Sequence, residues 1–451
     1  MKEDVEVISN NLVYNNVNLV EMVEKFGSPL KITFLDLIKK RVITLKETFE
    51  KVIKECNYSG SFYCINANKA NYEAIGIKIA TEYGDGVECS SYNDLLLTKS
   101  IVSTDKNLKK KPILCNGFKD DDYVNQIIKM INSGWNIEPI IDCKAEYEKY
   151  KAAKITKKFN VGLRIHIPSL YSEDGVILND RFGLIKEEFD YIIDDLKNNP
   201  NFVLTTIHFH QRGFDFEEEK FIENINKVFN NYYIPTCKKY DTLCNFDMGG
   251  GTPLPAKEKF DYERWARLLL TTIKKICEKE NVKEPNLISE NGKYHHKDSC
   301  VSIYEIAGVK NTEPGYPWYI IKGSLVIAIP EYYAMGEPME IEPINLLENE
   351  RVKVRLAGIT CDCDDVYFEK KLGYIEMPII KENQKLYIAI LGTGSYQDSM
   401  SGKGGIHHCL VPEEKDLVIY TENGELNYFV RKDAQNIKDI KTLTSFNMLK
   451  K

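Results

Sequence analysis

The stretch Phe62-Tyr63-Cys64-Ile65-Asn66-Ala67-Asn68-Lys69 sets the reading of the whole chain. Phe62, Tyr63 and Ile65 favour extended backbone. The run then meets a polar step, Asn66-Ala67-Asn68, and a helical pattern follows from Tyr72. A buried strand that opens into a polar loop is how the C-terminal rim of a barrel sheet reads, and barrel enzymes carry their reactive groups on that rim.

Outward from this stretch the pattern repeats. Strand-like apolar runs stand at Phe62–Ile65, Gly86–Cys89, Pro112–Leu114, Pro139–Asp142, Val161–His166, Val203–Phe209, Cys244–Met248 and Asn286–Glu290. Helical spacing of apolar residues lies between most of them, as at Tyr72–Tyr83, Asp121–Asn132 and Tyr262–Glu278. Eight strands alternating with helices over about 230 residues give the rhythm of a (β/α)8 TIM barrel. A doubly wound open sheet is the rival. The expected division is a lead over 1–29 that packs on the β domain, a barrel over 30–298, and a C-terminal all-β domain over 299–451. Short β-rich runs such as Cys300–Ile306, Trp318–Ile329, Val352–Ile359 and Leu426–Val430 mark that last part.

Composition excludes some functions. The net charge of −7 argues against nucleic acid or an anionic membrane surface as a partner. No run of 18 apolar residues is present, and the acidic MKEDVEVISNN start lacks the apolar core of a signal peptide. The 12 cysteines are scattered over strands and helices, as expected of reduced thiols in a cytoplasmic protein.

Five places carry candidate chemistry. Gly249-Gly250-Gly251 follows a strand and lets backbone N–H groups converge on an anion; a tight turn is the plainer reading. His208 and His210 are two apart, so they share a strand face at the rim. Glu290 with Lys293 ends the last barrel strand and offers a carboxylate for a protonated ring nitrogen and a cation for an anion. Cys361-Asp362-Cys363-Asp364-Asp365 sets thiols among carboxylates, which raise a thiol's pKa and suit a cationic substrate group. A zinc set with His407, His408 and Cys409 is the rival there, against which C-x-C spacing counts, and no metal is expected. Gly392 to Gln397 brings an aromatic hydroxyl, Tyr396, onto a turn.

In this order these pieces resemble the fold-type III pyridoxal-phosphate decarboxylases, the superfamily of diaminopimelate, ornithine and biosynthetic arginine decarboxylases, with an alanine-racemase-like barrel. Gly27-Ser28-Pro29-Leu30 is similar to the G-T-P-L opening, Gly86 to Asp94 to the G-x-D-V-x-S-x-x-E segment with Glu88 and Ser91 in place, and Asn116 to Asp120 to N-G-Y-K-D. The resemblance implies pyridoxal 5′-phosphate as cofactor. It implies that His210 stacks on the ring, Glu290 pairs with the ring nitrogen, and Gly249 to Gly251 hold phosphate with Tyr396 nearby. Glu88 and Lys293 belong to the same cofactor set, and Arg212 stands in for the serine of a missing G-S step. Cys361 becomes a catalytic thiol and Asp362, with Asp365, the receiver of a distal cation. It also implies a homodimer with shared sites, acting on a small basic amino acid or a conjugate of one.

One departure follows. Aligned on Tyr63, the family's Y-x-x-K-A-N puts Asn66 where the Schiff-base lysine belongs. An amide cannot replace that amine. Either Lys69 substitutes, which requires the strand to end by Ala67 and the loop to curl inward, or catalysis runs without an enzyme aldimine, or the chain is a catalytically silent relative that binds cofactor, amino acid or a protein partner.

Overall fold

The computed structural model describes residues 4–167, 181–210, 218–255 and 260–450. Two compact units divide the chain: residues 39–295, and residues 1–38 together with 296–451. The expected barrel boundaries at 30 and 298 therefore move inward. The reason is the strand Leu30–Phe34, which hydrogen-bonds between Cys300–Lys310 and Lys415–Glu422 and so belongs to the β-rich unit.

The first unit is a closed, all-parallel, eight-stranded barrel. Its strands are β1 (Phe62–Ala67), β2 (Gly86–Cys89), β3 (Ile113–Cys115), β4 (Ile137–Ile141), β5 (Phe159–Arg164), β6 (Phe202–His208), β7 (Asn245–Asp247) and β8 (Asn286–Asn291). Each pairs with its neighbours in sequence, and β8 closes on β1. Ile65, Leu114 and Ile288 pack together as an apolar plug inside. Side chains alternate along a strand, so the register fixes the lumen face from these three residues. Ile65 stands opposite Gly86 and Glu290, Leu114 opposite Glu88 and Glu138, and Ile288 opposite Asp247. Arg164 faces His208, which faces Asp247.

The other face of each strand meets the helices. Phe62 stacks on Phe49 of the helix Leu35–Glu55 at 3.8 Å between centroids, and Phe49 meets Trp265 of Tyr262–Glu280 edge-on at 5.4 Å. Burying a phenylalanine of this kind contributes about 1.5–3 kcal/mol, enough to tie β1 to its cover.

In the second unit the lead residues make a three-stranded sheet, and Val5, Leu12, Tyr14 and Leu19 pack with Ile32, Val301 and Leu417. The remainder is a 10-stranded, mostly antiparallel sheet with short helices. The expected strand Trp318–Ile329 is split: Trp318–Ile321 is extended, and Leu325–Ala328 turns into a helix. The carboxylate of Asp365 causes the break by accepting the backbone N–H groups of Leu325 and Val326 at 2.7 and 3.2 Å. Among the described residues, no helix is long and apolar enough to cross a membrane.

Candidate active site

Strand β1 ends at Ala67, and Asn68–Ala70 form a 3-10 turn. The chain thus bends where an inward-reaching Lys69 requires it to bend. Lys69 Nζ lies 3.3 Å from Glu88 Oε2, and Glu88 is on the lumen face of β2. Asn66 points the other way. It pairs in register with Val87 and Asn291, accepts from His295 Nδ1 at its Oδ1 at 3.1 Å, and donates to Asn68 Oδ1 at 3.0 Å. It is 0% exposed. Asn68 in turn donates to Asp94 and Thr98 at 3.0 and 2.7 Å. Asn66 is therefore part of the barrel wall, and its side chain does not enter the lumen.

The sequence also offers a second register. Lys69-Ala70-Asn71 itself spells K-A-N, with Asn66 in the tyrosine place of Y-x-x-K-A-N. Tyr63 is a stronger visual anchor than a triplet, and the two registers differ by three residues.

Four strands supply the rest of the mouth. His208 Nδ1 or Nε2 and one carboxylate oxygen each of Asp247 and Glu290 lie within 4.8 Å of one another, all buried. Asn116, just past β3, donates to Glu290 Oε1 at 2.6 Å. Burial, then the charge of Glu88, pushes the Glu290 carboxyl up to about 7. Burial, then Glu290, holds Asp247 well above the usual carboxylate range. Burial and the cation Arg164 hold His208 well below the usual imidazole range, so it is neutral. His210, beyond the end of β6, has an exposed side chain; the protein around it and the cations Lys69 and Arg164 lower its pKa.

The glycine run is shaped by contact. Gly249 has φ +67° and Gly251 φ +106°, conformations that L side chains rarely adopt. A Cβ on Gly249 would stand 2.7 Å from His210 Nδ1, and one on Gly250 would stand 2.9 Å from the Glu290 carbonyl oxygen. The run lies against the imidazole and the end of β8 at once.

The remaining expected residues are spread over other places. Lys293 is half-buried at the first position of the helical turn after β8. Arg212 lies outside the described residues. Tyr396, Cys361, Asp362 and Asp365 belong to the β-rich unit. Tyr396 is half-buried with φ +64°, a costly conformation for a tyrosine and one that accumulates at functional positions. Cys361 is exposed and Asp362 half-exposed. Asp365 differs from the expectation that it receives substrate. It is 1% exposed, and besides the two backbone N–H groups it accepts from Thr360 Oγ1 at 2.6 Å. Those bonds fill its carboxylate and make it a support of the loop.

Residues 36–296 match the family described as pyridoxal-dependent decarboxylase, pyridoxal binding domain. The chain belongs to the pyridoxal-dependent decarboxylases. Among curated relatives, a biosynthetic arginine decarboxylase of Prochlorococcus marinus is 26% identical over 333 residues, 68% of this chain and 50% of that protein. One from Citrifermentans bemidjiense is 27% identical over 292 residues, 60% of this chain and 45% of the relative. The chain thus spans about half the length of the curated relatives it matches. Among solved structures, the biosynthetic arginine decarboxylase of Campylobacter jejuni superposes with TM-score 0.83 at 18% identity, covering 99% of this chain and 91% of that one. A diaminopimelate decarboxylase from M. jannaschii in complex with L-lysine superposes with TM-score 0.80 at 20% identity, covering 97% of each. The fold is therefore that of these decarboxylases, a TIM barrel with a β domain.

The cofactor of this family is pyridoxal phosphate, and the barrel mouth fits it. Among the described residues, Glu88 Oε1, Asn116 Oδ1, Asp247 Oδ2 and both ring nitrogens of His208 are buried without a hydrogen-bond partner. Buried polar atoms are ordinarily paired, so this set marks a place built for a polar guest. Three carboxyl groups crowd there, and a protonated ring nitrogen is the neighbour that relieves their repulsion. Lys69 would offer a primary amine to a carbonyl carbon, and the glycine backbone would leave room for phosphate oxygens.

Proposed function

We propose that this chain is a decarboxylase of a basic α-amino acid, or of a conjugate of one, with pyridoxal phosphate held covalently on Lys69. The observation that carries the reading is the Lys69 amine, 3.3 Å from Glu88 in the mouth shared with His210 and Glu290. When bound, the cofactor supplies an electron sink for the pair left by carbon dioxide. The chain's own residues do the rest. Glu290 holds the ring nitrogen's proton, and Asn116 fixes the Glu290 carboxylate. His210, which packs against Gly249, would stack on the ring. Gly249, Gly250 and Gly251 bind phosphate, and Lys293 adds positive charge there. Cys361 returns a proton to the substrate carbon, and Asp362 receives the distal cation. Cys361 and Asp362 come from a partner subunit of a homodimer. A cytoplasmic location and a role in polyamine or lysine biosynthesis go with this reading.

The names of the relatives support a basic substrate, since those enzymes are arginine and diaminopimelate decarboxylases. A silent relative has Asn66 as its main motive, and that motive weakens once Lys69 is taken as the amine. The test is direct. The protein is incubated with pyridoxal phosphate, reduced with borohydride and mapped by peptide mass spectrometry. The pyridoxyl group is expected on Lys69, with carbon dioxide released from arginine, ornithine, lysine or diaminopimelate before reduction. Recovery on another lysine, or on none, overturns the assignment.

A further inference from the structure

Outside the barrel mouth, Cys361, His408 and Cys409 form a cluster with its own chemistry. Cys361 Sγ lies 3.4 Å from Cys409 Sγ, and Cys409 Sγ lies 3.2 Å from His408 Nδ1. All three donor atoms lie within 4.8 Å of one another, and all three residues are exposed. We infer that Cys361, Cys409 and His408 form a binding site for a thiophilic divalent ion of the zinc class.

Zinc takes thiolate sulfur at about 2.3 Å and imidazole nitrogen at about 2.0–2.1 Å in a tetrahedron. That geometry sets two sulfurs about 3.8 Å apart, so the present pair needs to open by only a few tenths of an ångström. The backbone N–H of Cys361 points at Cys409 Sγ at 3.5 Å. Asp362 and Asp364 flank the thiols and draw cations to them. The turn that carries His408 and Cys409 is unusual. Cys409 has φ +54° and Leu410 φ +52°, two consecutive side-chain-bearing residues in the left-handed region. That backbone brings adjacent imidazole and thiol groups to one point. His407 stays outside the set, engaged with Glu413 at 3.0 Å. Three protein ligands leave the fourth position to water, as in metal sites that exchange their ligand. Binding releases thiol protons to solvent, so affinity rises with pH.

A consequence rests on the proposed function: an ion held by Cys361 withdraws the thiol that would protonate substrate. The experiment separates the two claims. The full-length protein with bound cofactor, kept reduced by a phosphine, is titrated with cobalt(II) and then zinc. Expected are a thiolate-to-cobalt charge-transfer band and strong red bands of a tetrahedral ion at one equivalent per chain. Zinc should bleach both, Cys409→Ser should abolish both, and His408→Ala should weaken binding at least tenfold. No tetrahedral bands, or bands unchanged in Cys409→Ser, overturn the site. So does peptide mapping that finds a Cys361–Cys409 disulfide as the only species formed. Decarboxylation is assayed alongside. Inhibition by zinc that a chelator reverses, and that Cys409→Ser escapes, supports both claims. Cobalt bands without inhibition support the metal site and sink the role given to Cys361.

Discussion

Lys69 and Asn66 are three residues apart and look to opposite sides of the barrel wall, so their substitutions should fail in opposite ways. Asn66→Ala takes a partner from His295 and from Asn68, both buried in that wall. It should lower stability by about 1–3 kcal/mol and leave the cofactor's visible absorbance intact. Lys69→Ala removes an amine at the solvent-open mouth, 43% exposed as a side chain. It should leave the melting temperature of the cofactor-free protein nearly unchanged and abolish turnover. Thermal melts and a carbon dioxide release assay on both variants decide. If Asn66→Ala loses the absorbance and Lys69→Ala keeps activity, the assignment of the amine is wrong. Glu290 carries a pH prediction. Its carboxyl rises from 4.5 to about 7 on folding. The folded chain therefore binds this proton more tightly, and the group's contribution is full below pH 4.5 and lost as pH climbs through about 7. Cofactor-free protein should be less stable at pH 8 than at pH 6 from this cause. Glu290→Gln keeps the bond from Asn116 and removes the charge. It should raise the pH 8 melting point of the cofactor-free protein while lowering kcat/KM by 10-fold or more, a loss of about 1.4 kcal/mol of transition-state stabilisation.

At the scale of elements, the barrel was legible and the site was legible in part. Strand-like runs at near-regular spacing announce eight strands, because buried parallel strands must be apolar. His210, Glu290 and the three glycines were found because each ends such a strand. The side of the wall on which Asn66 lies was not legible. A one-residue change of register flips every side chain, and only the plug of Ile65, Leu114 and Ile288 fixes which face is the lumen. Leu30–Phe34 misled for another reason: its partners are about 270 and 385 residues away in sequence, beyond any local pattern. Asp365 looked like substrate recognition because acids are usually exposed, whereas here three donors bury it. Three substitutions test these elements. Gly249→Ala meets both a positive φ and the His210 ring, so it should cost about 1–2 kcal/mol and weaken cofactor affinity in an absorbance titration. Asp365→Ala should destabilise the β-rich unit by about 1–3 kcal/mol and lower expression, whereas Asp362→Ala should raise KM with little change in melting temperature.

At the scale of the molecule, the barrel carries Lys69, Glu88, His210 and Glu290, and the β-rich unit carries Cys361, Asp362 and Tyr396. The exposed apolar side chains Ile359 and Leu410 flank the exposed thiols Cys361 and Cys409. Apolar groups beside exposed thiols, one of them proposed to protonate substrate, left open on one chain, suit a surface that a second copy covers. A twofold dimer in which each site draws on both chains makes a sharp arithmetic prediction. Lys69→Ala and Cys361→Ala are each expected to be inactive, and each should run as a dimer in sedimentation. After mixing and reassortment, half of the dimers are mixed. Each mixed dimer holds one site with both defects and one with neither, so activity should recover to roughly a quarter of wild type. If both residues of a site came from one chain, no mixed dimer would gain a working site and activity would stay at zero. Recovery therefore depends on Cys361 crossing to the partner's Lys69, and its absence from a verified mixed dimer would return the thiol to its own chain.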